Sequence, residues 1–264
     1  MNLKKVLIAA GSMVGLLTFM IAPRFRKMKD LERIKHHPIA HRGLHGKDAE
    51  ENTLLAFKRA RDAGYGIECD VQLTKDKELV IFHDDDLKRM FSDDGFVREK
   101  TLKELQSFAF SSGEKIPTFR EFLELIDGEV PLVIELKGTS MDQELPRLTY
   151  EVLKDYKGHY VIESFNPIYL HWYKKNAPHI VRGQLSGNML KEKKAPHYLL
   201  MSYYLLNFLS RPDFLCHDIQ YYKNPSLNAL RFLGATTLGY TVKDEETYKE
   251  RREFDSFIFE NFLP

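Results

Sequence analysis

Acidic side chains recur within short apolar runs in the first half of this sequence. Glu68 and Asp70 lie two residues apart in one run, and Glu135 lies in another. Residues two apart on a β-strand face the same side, so Glu68 and Asp70 would point together while Cys69 points away. Paired buried carboxylates repel each other unless a positive charge compensates them. A divalent cation would supply that charge, and an all-oxygen ligand set favours Mg²⁺ or Ca²⁺ over Zn²⁺.

A second interpretation of these carboxylates needs no metal, because Arg42 and Lys137 could neutralise them directly. Spacing alone does not separate the two interpretations. Both cations could also hold a phosphate, the arginine bidentately and the lysine as a point charge. His41 and His83 end two further apolar runs, and imidazoles transfer protons near neutral pH. A metal, two cations and two histidines together would suit phosphodiester hydrolysis.

The elements that must position these residues form an alternating pattern from residue 38 onward. Short apolar runs alternate with amphipathic stretches, which indicates a parallel sheet with crossover helices. The pattern predicts strands at residues 38–41, 66–73, 79–83, 132–136, 160–164, 180–185, 213–217, 237–241 and 256–259, and helices at residues 53–63, 102–108, 119–126, 145–156, 167–176, 226–233 and 245–252.

Nine strands are one too many for a closed eight-stranded barrel. Residues 74–78 are too short for a parallel crossover, so the second and third strands should form an antiparallel hairpin with Asp70 roughly opposite His83. The other eight fit an α/β fold, a (β/α)₈ TIM barrel, with the hairpin as an insertion. Active sites of such barrels lie at the carboxyl ends of the strands, where the polar residues fall.

At these residues the sequence resembles the glycerophosphodiester phosphodiesterase family. The likeness runs from about residue 38 to the C-terminus, dense before Lys137 and thin between residues 183 and 211. No single stretch is specific, but the ordered set is. The stretches read IAHRG at 39–43, ENT at 51–53, IECDVQLTKD at 67–76, VIFHD at 80–84, IPT at 116–118, IELK at 134–137, ESFNP at 163–167, GYTV at 239–242 and FIFE at 257–260.

The resemblance implies metal-dependent hydrolysis of glycerophosphodiesters to sn-glycerol 3-phosphate and an alcohol. Either water or the neighbouring glycerol hydroxyl could attack the phosphorus. Tyr240 stands where the family usually has Trp, and the loop at 86–91 departs from the usual pattern. By position, the resemblance implies that His41 and His83 form the general acid/base pair and that Glu68, Asp70 and Glu135 bind Mg²⁺ or Ca²⁺. It implies as substrate-binding residues Arg42, Lys137, Glu51, Asn52, Phe165 and Tyr240.

The N-terminus differs from the rest of the chain. Residues 6–22 form an uncharged run of 17 residues flanked by lysines and arginines, at the lower limit for a helix that crosses a bilayer. A cleaved signal peptide shares this pattern, but no clear small-x-small site follows. We predict a single-pass transmembrane anchor at 1–23, a basic juxtamembrane connector at 24–37 and a catalytic domain at 38–264. The flanking charges weakly favour a cytoplasmic catalytic domain.

Residues 195–209, APHYLLMSYYLLNFL, are apolar and aromatic. They form either a buried barrel helix or an exposed element near the mouth that contacts a bilayer or an acyl chain. The second possibility raises an alternative function, a lysophospholipase D that acts on lysophospholipids in the bilayer. A non-catalytic, membrane-tethered binding protein is a third hypothesis. It predicts substitutions at the catalytic positions, and none occurs.

The composition limits other classes of function. The 264 residues carry 39 Lys+Arg and 38 Asp+Glu, a net charge of +1, which argues against a basic nucleic-acid surface. Two cysteines cannot build a disulfide framework or a four-cysteine zinc site.

Overall fold

The computed structural model describes residues 3–26, 28–191 and 194–264. Residues 1–2 of the predicted anchor and Lys27 of the predicted connector lie outside these ranges. The strands are β1 (Ile39–Ala40), β2 (Gly66–Leu73), β3 (Leu79–Ile81), β4 (Leu132–Leu136), β5 (Tyr160–Ser164), β6 (Arg182–Ser186), β7 (Phe214–Asp218), β8 (Thr236–Val242) and β9 (Ser256–Phe259). The helices are α1 (Leu3–Ile21), α2 (Lys29–Lys35), α3 (Leu54–Asp62), α4 (Lys88–Phe91), α5 (Leu102–Leu105), α6 (Phe119–Ile126), α7 (Glu144–Leu153), α8 (Pro167–Asn176), α9 (Pro196–Ser202), α10 (Asn207–Ser210), α11 (Pro225–Phe232) and α12 (Glu245–Glu250).

Within the described ranges, eight parallel strands close a barrel in the order β1-β9-β8-β7-β6-β5-β4-β2, and β1 pairs with β2 to complete the ring. Strand β3 pairs antiparallel with β2. The predicted barrel with a hairpin insertion is therefore confirmed. The hairpin register differs from the predicted one by one residue, because Val71 on β2 is paired with Ile81 on β3. Asp70 thus lies opposite Phe82, whose N–H donates to the Asp70 carbonyl (3.0 Å), and His83 follows beyond the strand.

Alternation along the strands produces two apolar cores. Valines such as Val133, Val161 and Val181 pack inside the barrel, whereas Cys69 packs in the outer layer between strands and helices. The predicted outward orientation of Cys69 is confirmed. Its neighbours Glu68 and Asp70 are therefore left to point inward.

Polar caps and one glycine fix the loops at the carboxyl ends of the strands. Thr53 begins α3 by accepting a hydrogen bond from the Ala56 N–H. A Cβ atom on Gly43 would lie 2.7 Å from the Ala56 carbonyl carbon, and Gly43 has a φ of +81°. Only glycine fits this close approach, which brings residues 51–53 beside the end of β1.

Helix α2 closes the opposite end of the barrel. Its Leu31 and Ile34 are buried in the inner core, and its Asp30 carboxylate lies 2.6 Å from Nδ1 of His159. The segment predicted as a simple connector thus contains a helix that plugs the base. Solvent therefore enters the barrel from the carboxyl end of the strands.

Helix α1 is the segment predicted to cross a membrane. Among the described residues, no helix is both long and apolar enough to do so, and the transmembrane helix is not confirmed. The end of α1 docks at the base of the barrel, where Arg211 Nη1 donates to the Phe19 carbonyl (2.7 Å) and Asn207 Nδ2 to the Ile21 carbonyl (2.7 Å). Farther from this junction, Met13 is 65% exposed.

The apolar segment 195–209 forms α9 and α10, part of the crossover between β6 and β7. Tyr198 and Met201 line the cavity at the mouth, whereas Asn207 contacts α1 at the base. Leu199 is 44% exposed. The segment is therefore a barrel crossover that also contributes an apolar wall to the mouth.

Candidate active site

A cavity of about 1110 Å³ opens at the carboxyl end of the strands. Asp70 and Asn52 are buried directly behind its surface, and Glu51 contacts Arg42 at its edge. The structure therefore brings all the predicted site residues together. Those that line the cavity are His41, Arg42, Glu68, His83, Glu135, Lys137, Phe165 and Tyr240.

The three predicted metal ligands meet on neighbouring strands. Asp70 on β2 is paired in register with Glu135 on β4, and one oxygen from each of Glu68, Asp70 and Glu135 lies within 4.8 Å of the others. Asp70 Oδ1 is buried and accepts no hydrogen bond. An all-oxygen set with an unsatisfied buried acceptor fits a hard divalent cation.

The buried carboxylates differ in acidity. Burial and then the charge of Asp70 raise the pKa of Glu68 well above its usual range. Burial also raises the pKa of Glu135, against the attraction of Lys137. Burial acts to raise the pKa of Asp70 as well, but the positive charges of Lys137, His83 and Arg42 outweigh it and the pKa is lowered. Asp70 is therefore the most readily ionised of the three carboxyl groups.

Two cations border this carboxylate cluster. Arg42 Nε lies 3.1 Å from Asp70 Oδ2, and Lys137 Nζ lies 3.1 Å from Glu135 Oε1. Burial alone would lower the pKa of Lys137, but Glu135 and Asp70 raise it, so the ammonium stays charged. Three carboxylates face two cations, which leaves room for further positive charge. The ion pairs that Arg42 and Lys137 form with the carboxylates are thus compatible with a metal site at the same carboxylates.

His41 is held by a carboxylate that the sequence analysis gave no role. Its Nδ1 lies 2.6 Å from Glu260 Oε2, and its Nε2 lies 4.0 Å from Glu68 Oε2. The Glu260 carboxylate accepts a hydrogen bond from the Nδ1–H of His41, which leaves the Nε2 lone pair directed at the carboxylate cluster. Burial lowers the pKa of His41 despite the hydrogen bond to Glu260, so the ring is neutral near pH 7.

Barrel closure explains why sequence reasoning missed Glu260. The ring pairs the first strand with the last, with Ala40 opposite Phe259, and the residue after each strand then meets its counterpart. The motif FIFE at 257–260 carried the signal, but only the closed barrel places its glutamate beside His41.

His83 is held in the same manner by its sequence neighbour. Its Nδ1 lies 2.6 Å from Asp84 Oδ1, and Arg89 Nε donates to Asp84 Oδ2 (2.6 Å). Burial would raise the pKa of Asp84, but the hydrogen bonds from His83 and Arg89 lower it. Each of the two histidines predicted to transfer protons thus has a carboxylate at Nδ1, and its Nε2 lies on the other side of the ring.

Arg89 links the two halves of the site. Besides Asp84 it binds Glu51 with two hydrogen bonds, Nη2 to Oε1 (2.6 Å) and Nη1 to Oε2 (3.1 Å). Glu51 in turn accepts a hydrogen bond from Arg42 Nη1 (2.7 Å). Arg89 lies in the loop that departs from the family pattern, and the sequence analysis assigned it no role.

The remaining walls are aromatic and acidic. Phe165 and Tyr240 meet edge to face with ring centroids 6.2 Å apart, and the Tyr240 hydroxyl donates to the Ser186 carbonyl (3.0 Å). Glu163 is 1% exposed and follows Glu135 in register on β5, and burial raises its pKa well above the usual range. It adds a fourth carboxyl group to the barrel interior.

Known proteins are similar to this chain in sequence and in architecture. The model of the glycerophosphoryl diester phosphodiesterase family matches residues 41–258. A glycerophosphodiester phosphodiesterase of Caldanaerobacter subterraneus subsp. tengcongensis is 41% identical over 159 residues, which cover 56% of this chain and 65% of that protein. The Bacillus subtilis protein YhdW, a putative glycerophosphodiester phosphodiesterase, is 44% identical over 38% of this chain. This match spans 44% of the relative's length, less than half.

Solved structures extend the likeness over most of the barrel. An Oleispira antarctica phosphodiesterase in complex with the product sn-glycerol-3-phosphate superposes with a TM-score of 0.71 and 28% identity, covering 85% of this chain and 92% of that one. A glycerophosphodiester phosphodiesterase from Thermotoga maritima superposes with a TM-score of 0.66 and 30% identity, covering 85% and 94%. The family match spans most of the chain and includes the residues that converge at the mouth, so this chain belongs to the glycerophosphoryl diester phosphodiesterase family.

Proposed function

We propose that this protein hydrolyses glycerophosphodiesters to sn-glycerol 3-phosphate and an alcohol, with the help of Mg²⁺ or Ca²⁺. One observation carries the proposal. Carboxylate oxygens of Glu68, Asp70 and Glu135 lie within 4.8 Å of one another, in a cavity that two cations and two histidines also line. This combination offers ligands for a metal, contacts for a phosphate and groups that move protons.

Glu68, Asp70 and Glu135 would hold the divalent cation. When bound, the cation neutralises negative charge on the phosphoryl oxygens. Arg42 and Lys137 point at the same carboxylates and would orient the phosphate of the substrate from the other side. Arginine fixes it by paired hydrogen bonds, which also sets the direction from which the phosphorus is attacked.

The two histidines divide the proton transfers. His41 is neutral near pH 7 and its Nε2 is free to accept a proton from the nucleophile, which is either water or the adjacent glycerol hydroxyl. His83, hydrogen-bonded through Nδ1 to Asp84, would donate a proton from Nε2 to the departing alkoxide. We expect His83→Ala to lose turnover while the metal still binds, because His83 is not a ligand. Turnover close to wild type in this variant would refute the assignment.

The direct test is release of glycerol 3-phosphate from glycerophosphocholine by the purified chain. We expect no release in EDTA and recovery when Mg²⁺ or Ca²⁺ is restored. Metal-restored release would support the reaction and the carboxylate site together. No release with any divalent cation, from a protein shown to be folded, would contradict the proposal for soluble diesters.

A second candidate function is a lysophospholipase D. The apolar side chains Met189, Tyr198, Met201 and Leu206 line one wall of the cavity, and such a wall suits an acyl chain. A polar substitution, Met201→Gln, distinguishes the candidates in a folded protein. If lysophosphatidylcholine is the substrate, its rate should fall while any glycerophosphocholine rate is kept. An unchanged lysolipid rate would contradict the acyl-chain role.

We also propose that α1 associates the protein with a membrane, with the barrel on the cytoplasmic side. Its exposed Met13 and Val14 and the exposed, basic Arg26 beyond its end suit a bilayer and its headgroups. Because α1 joins the barrel at the base, the mouth lies at the other end. A water-soluble diester reaches such a mouth freely, whereas a lysolipid must first leave the bilayer, which favours the first candidate.

Cysteine labelling tests this location. Cys69 and Cys216 are both buried, so a thiol introduced at the exposed Lys249 would be the main reactive one. In intact cells, a membrane-impermeant maleimide should leave Lys249→Cys unlabelled, and lysis should expose it. Labelling before lysis would place the barrel outside. Recovery of the protein in the soluble fraction would contradict membrane association.

A further inference from the structure

We propose that His41, His45 and Glu260 form a second metal site, which takes Zn²⁺ and thereby switches the active site off. The site differs from the carboxylate cluster in position and in ligand chemistry. Its effect on turnover rests on the proposed role of His41, but the binding of the ion does not.

The three ligand atoms are already close to the required arrangement. His41 Nδ1 lies 2.6 Å and His45 Nε2 lies 3.7 Å from Glu260 Oε2, and all three atoms lie within 4.8 Å of one another. A tetrahedral Zn²⁺ with bonds of about 2.0–2.2 Å holds its ligand atoms about 3.4 Å apart. Side-chain movements of about 1 Å would therefore complete three corners of the tetrahedron and leave the fourth for water.

His45 has no other use that the contacts reveal. Its Nε2 is buried and makes no hydrogen bond among the described residues; its contact with Glu260 Oε2, at 3.7 Å, is longer than a hydrogen bond. A buried polar atom left without a partner is costly, and a metal bond would satisfy it. The ring projects from the turn after β1, next to the residue after β9, where nothing in the proposed hydrolysis requires an imidazole.

The ligand set selects a different ion from the one proposed for the carboxylate cluster. Two imidazoles and one carboxylate bind Zn²⁺ well and Mg²⁺ or Ca²⁺ poorly. Glu260 can bind through Oε2 alone, because Lys243 Nζ holds Oε1 (2.6 Å) from a side chain that is 60% exposed. The nearby lysine weakens the site but does not occupy the ligand atom.

Zinc can reach the site without passing through the substrate cavity. A separate pocket of about 330 Å³ is lined by His45 and Glu260 together with residues 43, 44, 46, 259 and 261–263. Glu260, whose Oε2 lies 2.6 Å from His41 Nδ1, lines this pocket, whereas His41 itself lines the substrate cavity. Zn²⁺ binding should therefore not compete with a bound diester for space.

Zinc on Nδ1 would move the single ring proton of His41 from Nδ1 to Nε2. A neutral imidazole carries one proton, which the Glu260 hydrogen bond keeps on Nδ1. A metal takes the Nδ1 lone pair, so that proton moves to Nε2 and no proton is released. His41 then faces the substrate with an N–H donor instead of a lone pair, and it can no longer accept a proton from the nucleophile.

The test compares the full chain with His45→Gln, with saturating Mg²⁺ present throughout. Calorimetric titration with Zn²⁺ should show a site in the wild type whose affinity falls at least tenfold in His45→Gln. Turnover without zinc should be the same in both, whereas zinc should inhibit only the wild type at concentrations that fill the site. His37→Gln is the matched control, because His37 Nδ1 lies 2.8 Å from the Arg33 carbonyl at the base.

Three results would overturn the proposal. Equal zinc affinity in the wild type and His45→Gln would show that these ligands bind no zinc. Zinc that fills the site without slowing turnover would refute the inhibitory effect. Loss of the calorimetric zinc signal in Glu68→Gln would show that zinc had replaced Mg²⁺ at the carboxylates. If the protein hydrolyses no diester at all, the calorimetry still decides whether the site exists.

Discussion

The two ends of the barrel both bury charge, but in opposite proportions. At the mouth, three carboxylates face Arg42 and Lys137. At the base, Arg24 and the 1% exposed Arg182 lie near one acid, Asp213. Its carboxylate pairs with the Arg24 guanidinium and accepts a hydrogen bond from the backbone N–H of Arg182 (3.1 Å). Burial, with the charge of Arg24, lowers the pKa of Arg182 to about 10.

The difference follows from what each end must bind. The excess negative charge at the mouth is destabilising by itself, and the divalent cation proposed above would offset it. The charges at the base serve the chain itself, because Arg24 belongs to the segment after α1 and Asp213 to the start of β7. Removing charge should therefore have opposite effects on stability at the two ends.

The largest expected effect is on turnover at the mouth. Glu68→Gln removes a proposed metal ligand, so we expect turnover to fall by about 1,000-fold or more. The neutral amide also removes repulsion with Asp70 while it can still accept from the Arg42 N–H, so the metal-free protein should melt at a higher temperature. Activity and thermal melting of the same preparation check both statements. The exposed Glu245→Gln should change neither.

Loss of charge at the base should do the reverse. Asp213→Asn breaks the ion pair with Arg24 and removes a negative charge that favours the charged form of the buried Arg182. Breaking a buried ion pair costs about 3–5 kcal/mol. We expect a lower free energy of unfolding by denaturant with unchanged turnover per folded molecule. If this variant lost turnover but not stability, the base would be coupled to the active site and the contrast between the ends would fail.

The sequence predicted most of the mouth because local patterns encode it. Alternation within β2 placed Glu68 and Asp70 on one face, and the short turn identified the hairpin. It did not predict the partners Glu260 and Arg89, because barrel closure and a loop conformation bring them to the histidines from distant positions. Nor did it predict the base, because a basic helix such as α2 resembles any solvent-exposed connector until Leu31 and Ile34 are seen in the core.

One buried titratable group, His217, lies outside both charge clusters, and its effect on stability can be compared with theirs. His217 is fully buried, with its Nδ1 2.7 Å from the Tyr204 hydroxyl, and burial lowers its pKa to about 4 from 6.5. The folded state therefore resists protonation, so this contribution to stability is present above pH 6.5 and is lost as the pH falls toward 4.

The expected loss is about 2 kcal/mol between pH 6.5 and pH 5, at about 1.4 kcal/mol per pH unit. His217→Gln has no such titration. The difference in unfolding free energy between the wild type and this variant should shrink by that amount over the interval. Denaturant unfolding at both pH values measures it, and a constant difference would mean that folding does not lower the pKa of His217.

Arg89 gives the smallest expected effect and the sharpest contrast with Arg24 at the base. Its side chain is 48% exposed, so its ion pairs add little to stability. It nevertheless joins Asp84, which holds His83, to Glu51, which holds Arg42.

We expect Arg89→Met to lower kcat about tenfold, or about 1.4 kcal/mol, and to raise KM, with the melting temperature unchanged. Arg89→Lys should recover only part, because an ammonium cannot form the same paired bonds. Lys88→Met is the control, since the exposed Lys88 ammonium pairs with the exposed Asp94 (2.8 Å), outside the site. A loss of stability without a change in kcat would make Arg89 a structural residue like Arg24.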